Sequence, residues 1–222
     1  MEERYSRNLG SITLPEQEQL KNKKVFIAGA GGLGCYISEL LVRTGVGEIR
    51  IADGDTFSLS NLNRQLYADM NTIGRSKAAV VAERAAVINP AVRFKAYSCF
   101  IDADNVNGFI SGCDLVMDAL DSVPARLLLE KACEATGIPL VHGAVSGWTA
   151  QAGISLPGDR LISKIYSAAG MPAAEPVSVM PFVPSLCASF QTALAVSFLC
   201  GRDVPAGTAV CADLSDFSFL SW

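Results

Sequence analysis

The fold is decided by residues 25–41, which read VFIAGAGGLGCYISELL. A short run of apolar and β-branched residues leads into Gly-x-Gly-x-x-Gly, and an apolar pattern with helical spacing follows. This order predicts a strand, a tight turn and a helix. Gly29 allows the sharp turn, Gly31 lets the backbone approach a phosphate, and Gly34 lets the helix lie against the strand. The helix directs its free N–H groups and the positive end of its dipole over the turn, which favours a phosphate there.

An acidic residue supports a nucleotide site. The predicted strand at 49–52 ends at Asp53, about twenty residues beyond the glycines, where a carboxylate can hold ribose hydroxyls. The glycine motif alone also fits a strand-to-helix turn that binds no ligand. Together the two features predict a nucleotide site, and they do not distinguish one nucleotide from another.

Composition narrows the class of protein. The chain has 222 residues, half of them hydrophobic, which suits one α/β domain with at most a small extension. Its net charge is −4 and it has no basic stripe, which argues against a nucleic-acid partner. The N-terminus has no apolar signal core, and the most apolar segment, residues 179–200, contains prolines and Gln191. We therefore expect a cytoplasmic protein in which this segment is a buried helix, with no membrane span.

The cysteines point to the same compartment. There are seven, none belongs to a C-x-x-C pair, and most lie in apolar runs. A secreted disulfide framework is therefore not expected, whereas buried free thiols in a reducing cytosol are.

Strand and helix patterns alternate along most of the chain. The predicted strands are 24–28, 49–52, 92–96, 115–117 and 139–141, and the predicted helices between them are 32–44, 76–88, 102–110 and 124–136. This alternation predicts an α/β fold with a doubly wound, Rossmann-like sheet that is mainly parallel. Ligands of such sheets bind outside the carboxyl ends of the strands. Gly29, Asp53 and Asp121 all lie at such ends, so three separate parts of the chain are expected to meet in one crevice.

The pattern changes after Gly143. Strands of an antiparallel kind are predicted at 148–156 and 161–166, then a loop at 168–179, the buried helix, and closing strands at 209–211 and 217–220. We expect one domain over 1–222, composed of an N-terminal arm (1–23), a nucleotide-binding core (24–143) and a small antiparallel C-terminal extension (144–222).

Seven short motifs occur in a particular order. They are RYSRN at 4–8, GAGGLG at 29–34, DGD at 53–55, SLSNLNRQ at 58–65, GRSK at 74–77, NP at 89–90 and DALD at 118–121. In this order the chain resembles the MoeB/ThiF/HesA adenylyltransferases, the bacterial relatives of ubiquitin-activating enzymes. The likeness covers nearly the whole chain, and the run at 58–65 is far more specific than the glycine motif.

The resemblance implies ATP-dependent activation of a carboxylate by a homodimer. In this family the C-terminal carboxylate of a ubiquitin-like sulfur carrier protein ending in Gly-Gly attacks the α-phosphorus of MgATP. The products are an acyl adenylate and pyrophosphate. ATP and Mg²⁺ are therefore the expected cofactors, and the chain is expected to be a single ThiF-type adenylation domain.

The resemblance also assigns roles to individual side chains. Arg64 and Lys77 match phosphate-binding cations, Asp121 a magnesium ligand, Asp53 a ribose-binding acid, and Arg7 an arginine that enters the partner subunit's site. These roles fit the chemistry, because the reacting phosphorus gathers negative charge and Mg²⁺ prefers carboxylates with phosphate oxygens. The expected catalytic residues are Arg7, Arg64, Lys77 and Asp121, and the expected nucleotide-binding residues are Gly29, Gly31, Gly32, Gly34, Asp53, Asp55, Asn61, Arg64 and Lys77.

Simpler roles exist for each of these side chains. Lys77 could be a solvated surface lysine, Arg64 a structural loop arginine, Arg7 part of a flexible terminus, and Asp121 a helix cap. The ordered set of motifs favours the family roles. His142 is the only histidine and has no paired nucleophile, so we expect a packed structural role for it.

The chain departs from the family in two places. Many members hold a structural zinc through two C-x-x-C pairs, but the first slot here is Ser163-Lys164-Ile165-Tyr166 and the second would fall beyond Trp222, so no zinc site is expected. Many members also carry a cysteine in the loop that crosses the active site. That slot lies near Ala174, and no cysteine lies between Cys133 and Cys187. We therefore expect adenylation without a covalent cysteine step on this loop.

Other functions stay open at this point. The substrate could instead be a small-molecule carboxylate in cofactor or natural-product biosynthesis. The chain could also be a nucleotide-binding scaffold without catalysis, although Arg64, Lys77 and Asp121 argue against this. An NAD-dependent dehydrogenase shares the glycine motif and Asp53, but it would not need the run from Asn61 to Arg64 or Lys77.

Overall fold

One mixed sheet organises the chain. The computed structural model describes residues 2–169 and 178–221, and only the backbone of residues 168 and 169. Within these residues the strands are β1 (Lys24–Ala28), β2 (Glu48–Ala52), β3 (Arg93–Tyr97), β4 (Leu115–Asp118), β5 (Leu140–Ser146), β6 (Thr149–Ser155), β7 (Ala209–Asp213) and β8 (Ser218–Ser221). Their order in the sheet is β3-β2-β1-β4-β5-β6-β7-β8. Pairing is parallel from β3 to β5 and antiparallel from β5 to β8, which confirms the predicted α/β sheet with an antiparallel C-terminal extension.

Helices cover both faces of the sheet. They are α1 (Leu14–Leu20), α2 (Gly32–Thr44), α3 (Lys77–Ile88), α4 (Val106–Ile110), α5 (Val123–Thr136), α6 (Leu161–Ala169) and α7 (Phe182–Leu199). Alternate residues of β1 point to opposite faces, as in any strand. Val25 and Ile27 belong to the core cluster with α1, α2, α3 and α7, whereas Phe26 and Ala28 belong to the cluster with α4, α5 and α6. The sheet is therefore doubly wound, as the alternation of patterns predicted.

The first strand and helix have the predicted bounds. β1 is Lys24–Ala28 and α2 is Gly32–Thr44. Gly45 ends α2 in the left-handed conformation, with φ of 89°, and its N–H bonds the carbonyl of Leu41. A glycine adopts this conformation without the steric cost that a side chain would carry.

The strand predicted at 161–166 is wrong, because these residues lie in α6. The carboxylate of Glu130 on α5 accepts the backbone N–H groups of Ile162 and Ser163, and the Ser163 hydroxyl donates to it as well. A carboxylate at these free N–H groups stabilises the start of a helix. The β-branched and aromatic residues of the segment suggested a strand, but this tertiary contact favours the helix.

Another helix is shorter than predicted. The segment 102–110 contains α4 only at Val106–Ile110. Asp102 Oδ1 accepts the N–H groups of Asp104 and Asn105 at 2.9 Å each, and the Asp102 N–H donates to Asn105 Oδ1. Local side-chain bonds of this kind compete with helix formation, so the helix begins after them.

The apolar segment near residue 190 forms α7. Among the described residues it is the one helix long and apolar enough to cross a membrane by length and composition, and 44% of the helix is buried. It packs against α2, β5 and β6, and Gln191 in its centre is buried and donates to the carbonyl of Asp118 on β4. These contacts are those of a core helix. The loop predicted at 168–179 and the position near Ala174 fall largely outside the described residues.

All seven cysteines are free. Cys35, Cys133 and Cys187 are buried, and burial raises the pKa of each thiol to about 12. Such thiols remain protonated near neutral pH and are poor nucleophiles.

Packing at Gly34 leads to a stability prediction. A Cβ atom there would lie 1.9 Å from the carbonyl oxygen of Gly29, and this backbone group cannot move aside as the end of a flexible side chain could. We expect Gly34→Ala to lower the free energy of unfolding by about 3 kcal/mol or more, measured by urea denaturation. Gly32→Ala is the matched control, because its Cβ would meet Pro184 at an ordinary 3.6 Å. Equal stability of the two variants would contradict close packing of helix and turn.

Candidate nucleotide and carboxylate site

A cleft of about 650 Å³ opens at the carboxyl ends of β1, β2 and β4. This is the expected position for a ligand of a doubly wound sheet. Ala52 and Asp53 at the end of β2 and Ala119 to Asp121 after β4 line it. The predicted site residues that it brings together are Gly29, Gly31, Gly32, Asp53, Asp55, Arg64, Lys77 and Asp121. Gly34, Asn61 and Arg7 are not among the described residues of the cleft wall.

The glycine loop lies at the N-terminus of α2. Gly29 has φ of +100°, and a Cβ atom there would lie 2.6 Å from the carbonyl oxygen of Ala119. Gly31 is the N-cap residue of α2 and has no side chain to occupy the N–H groups of the first turn, which stay free for a ligand. Asp53 Oδ2 accepts the N–H of Ala30 at 2.7 Å. The loop is thus fixed against the end of β2.

Lys77 is a buried cation on the wall of the cleft. Its side chain is only 8% exposed, and Nζ lies 3.0 Å from Asp55 Oδ2. The Lys77 N–H also donates to the carbonyl of Asp55, and the Asp55 N–H donates to Asp53 Oδ1 at 2.8 Å. A buried, paired ammonium is not a solvated surface lysine, so that alternative is wrong. The chain of contacts holds Asp53, Asp55 and Lys77 as one unit.

The polar run at 58–65 places Arg64. Asn61 is buried, and its Oδ1 accepts the N–H of Ser58 at 3.0 Å. Its carbonyl accepts the N–H groups of Arg64 and Gln65. Asn61 therefore shapes the short helix Leu59–Asn61, while Arg64 lines the cleft and donates to the carbonyl of Ser60.

Asp121 is an exposed carboxylate on the cleft wall. The N-cap of α5 is Ser122, so Asp121 is not the helix cap that the simpler reading suggested. Mg²⁺ is typically held by one or two carboxylates and completes its shell with water and phosphate oxygens. No group of three or more His, Cys, Asp or Glu side chains in the described part of the chain could hold a metal. An exposed carboxylate such as Asp121 suits a metal that takes its other ligands from water and phosphate oxygens.

Comparison with known proteins identifies the family. Residues 5–221 match the family described as ThiF. This chain belongs to the ThiF family. It is 32% identical over 230 residues to a sulfur carrier protein adenylyltransferase of Thermus thermophilus, covering 98% of this chain and 85% of that one. It is also 32% identical over 210 residues to the molybdopterin-synthase adenylyltransferase of Escherichia coli, covering 91% and 84%. The predictions of the family and of an adenylyltransferase are confirmed.

Solved structures agree with the fold. The tRNA N6-threonylcarbamoyladenosine dehydratase TcdA of E. coli, in complex with AMP, has a TM-score of 0.76 and 25% identity, covering 89% of this chain and 94% of that one. E. coli MccB with ATP has a TM-score of 0.86 and 22% identity, covering 100% of this chain and 71% of that one. At this level of identity, the similarity to MccB shows a shared fold only.

Two parts of the cleft of this ThiF-family chain were not predicted. Phe100 and Ile101 follow β3, and the Phe100 ring lies 2.6 Å from where a Gly54 Cβ would be. Their position in the cleft could have been predicted from the sequence, because β3 ends at the same edge of the sheet as Asp53. On the opposite side the wall includes Gln151 and Arg126. Gln151 Nε2 is buried and has no hydrogen-bond partner among the described residues, which makes it a donor available to a ligand.

His142 and Arg126 belong to a buried polar group beside the cleft. Both are buried, and His142 Nδ1 lies 2.7 Å from Asp118 Oδ2. His142 thus has a packed polar environment, as expected of a structural residue. Burial opposes the charge of Arg126, but Asp118 and Tyr166 outweigh it and hold the pKa of the guanidinium above its usual value.

Arg7 lies far from the cleft of its own chain. Tyr5 is buried against Gly45, and its hydroxyl accepts from Asn89 Nδ2 at 2.7 Å. Asn8 bonds Gln17, which in turn bonds the carbonyl of Thr44. Arg7 is thus held between two anchors at the C-terminal end of α2, whereas the glycine loop lies at the N-terminal end, roughly 20 Å away along the helix. A single side chain does not span that distance.

Proposed function

We propose that this chain is an adenylyltransferase that uses MgATP to activate the C-terminal Gly-Gly carboxylate of a ubiquitin-like sulfur carrier protein. The observation that carries the proposal is the cleft, in which the open N-terminus of α2 faces Lys77, Arg64 and Asp121 from three other parts of the chain. Relatives named for sulfur carrier and SAMP activation support this substrate class. The free thiols suit a reducing cytoplasm.

The proposed step is an attack of the carboxylate oxygen on the α-phosphorus. The bond to the β-phosphate breaks, pyrophosphate leaves, and the acyl adenylate remains. The N–H groups of α2 bind phosphate oxygens, and Asp53 holds the ribose. Lys77 exchanges its contact with Asp55 for the phosphates and, with Arg64, neutralises the charge that develops in the transition state. Asp121 would hold Mg²⁺, which supplies further charge neutralisation when bound.

Arg7 is proposed to act in the cleft of a second copy of the chain. Its distance from its own glycine loop supports this, since an arginine that neutralises phosphate charge must lie at the phosphates. The proposed working unit is therefore a homodimer of single adenylation domains, each with an arm (1–23), a core (24–143) and an extension (144–222).

Mass spectrometry tests the substrate. With ATP and Mg²⁺, a Gly-Gly-ended carrier is expected to gain the mass of one AMP group at its C-terminus. A carrier truncated by its last glycine is the control and should gain none. If the carrier stays unmodified and a small carboxylic acid is adenylated instead, the enzyme acts on a small molecule, and the carrier proposal is wrong.

A further inference from the structure

We propose that Arg126 is a positioning residue that, together with Asp118, fixes the turn carrying Asp121. This inference rests on the proposed function, because it concerns the residue expected to bind Mg²⁺ there. Arg126 belongs to none of the ordered motifs, and its position five residues after Asp121 gives no hint of a role by itself.

Leu120, the residue directly before Asp121, has both its backbone N–H and its carbonyl held by side chains. The carbonyl of Leu120 accepts from Arg126 Nε at 3.1 Å and from a terminal guanidinium nitrogen of Arg126 at 2.6 Å. The N–H of Leu120 donates to Asp118 Oδ1 at 3.0 Å. Two side chains thus fix the peptide groups on either side of Leu120, the residue directly before Asp121.

The two holding side chains are themselves fixed. Asp118 is fully buried, and Arg126 is 8% exposed. Asp118 Oδ2 lies 2.7 Å from His142 Nδ1 and 3.6 Å from Arg126 Nε. Arg126 also donates to the hydroxyl of Tyr166 on α6. The forked guanidinium, which a lysine lacks, allows Arg126 to donate to the Leu120 carbonyl and to Tyr166 at the same time.

Asp121 has no such support of its own. In the part of the chain that the structure describes, its exposed carboxylate makes no hydrogen bond or ion pair. Its position therefore depends on the backbone of the turn. Residues that orient a metal ligand from outside typically change metal affinity or activity by about 10–100-fold when removed.

The test is metal binding by the full-length protein. Mn²⁺, a paramagnetic probe, is titrated into the protein saturated with α,β-methylene-ATP and followed by electron paramagnetic resonance. For Arg126→Met we expect affinity for Mn²⁺ to fall by about 10–100-fold. Arg126→Lys keeps the buried charge but not the fork, and we expect a smaller loss in the same direction. Arg43→Met removes an exposed arginine on α2, which pairs with Glu39, and should leave Mn²⁺ affinity unchanged.

Arg126 also lines the cleft, so it could contact the substrate directly. A double-mutant cycle distinguishes that role from positioning of Asp121. If Arg126 acts through Asp121, adding Arg126→Met to Asp121→Asn causes little further loss of Mn²⁺ affinity or of exchange rate. Additive losses, or unchanged Mn²⁺ affinity with a raised KM for the carboxylate, would overturn the inference. Should Arg126→Met fail to fold, Arg126→Lys carries the same test. Wild-type protein without any exchange activity would instead count against the proposed function.

Discussion

Replacing Lys77 with methionine is expected to slow ATP–pyrophosphate exchange by about 10²–10³-fold at saturating ATP. Lys77 is the buried ammonium of the cleft, 3.0 Å from Asp55. Charge stabilisation by a fixed cation acts most strongly where negative charge develops, so the loss should fall mainly on kcat rather than on ATP binding. Steady-state exchange kinetics and calorimetric titration of ATP distinguish the two effects.

The control for Lys77→Met is Lys131→Met. Lys131 is an exposed lysine of α5 outside the cleft wall, and its loss should leave exchange unchanged. The Asp55 carboxylate, which is 52% exposed, can be hydrated when Lys77 is absent, so the Lys77→Met variant should stay folded by circular dichroism. A folded variant with a near wild-type rate would show that Lys77 does not act on the phosphates.

Mixing two inactive variants is expected to restore activity if Arg7 acts on a second copy. Arg7→Ala and Asp121→Ala should each lose exchange by about 10³-fold or more, the scale of an arginine that acts on phosphates in trans. In a mixed dimer, one site combines the intact Asp121 of one subunit with the intact Arg7 of the other. Random mixing in equal amounts makes half of the dimers mixed, so about a quarter of the wild-type rate should return.

The position of the arm explains why action of Arg7 on its own chain and action on a second copy predict different activities for the mixture. Tyr5 and Asn8 anchor the arm at Gly45 and, through Gln17, at Thr44, at the opposite end of α2 from the glycine loop. An Arg7 that served its own chain would have to leave these anchors. A mixture no more active than the Arg7→Ala variant alone, although mixed dimers form, would rule out action in trans.

Much of the fold could be predicted because its signals are local. The strand, glycine turn and helix at 24–44 have the expected bounds, since apolar periodicity and the glycines Gly29 and Gly45 act over a few residues. The helix at Leu161–Ala169 could not be predicted in this way. Its first turn is stabilised by Glu130, some thirty residues earlier, and a pattern within one segment contains no information on such a contact.

The same difference applies to the site: some of its residues could be predicted from local patterns, and others become visible only through contacts in the structure. Gly29, Asp53 and Asp121 were expected together because the carboxyl ends of parallel strands meet at one edge, and the structure brings them into one cleft. Asn61 matched a family motif, but its buried side chain bonds Ser58 within the run that carries Arg64. Arg126 had no motif to mark it, and its role becomes visible only through its contacts with Leu120.

The most direct measurement is ATP–pyrophosphate exchange with Mg²⁺ in the presence and absence of a Gly-Gly-ended carrier protein. We expect exchange that requires the intact carrier and disappears in Asp121→Ala. We also expect no exchange with the carrier lacking its last glycine. Measurable ATP binding without exchange, whether with the carrier or with a panel of small carboxylic acids, would contradict adenylation and identify the chain as a nucleotide-binding scaffold.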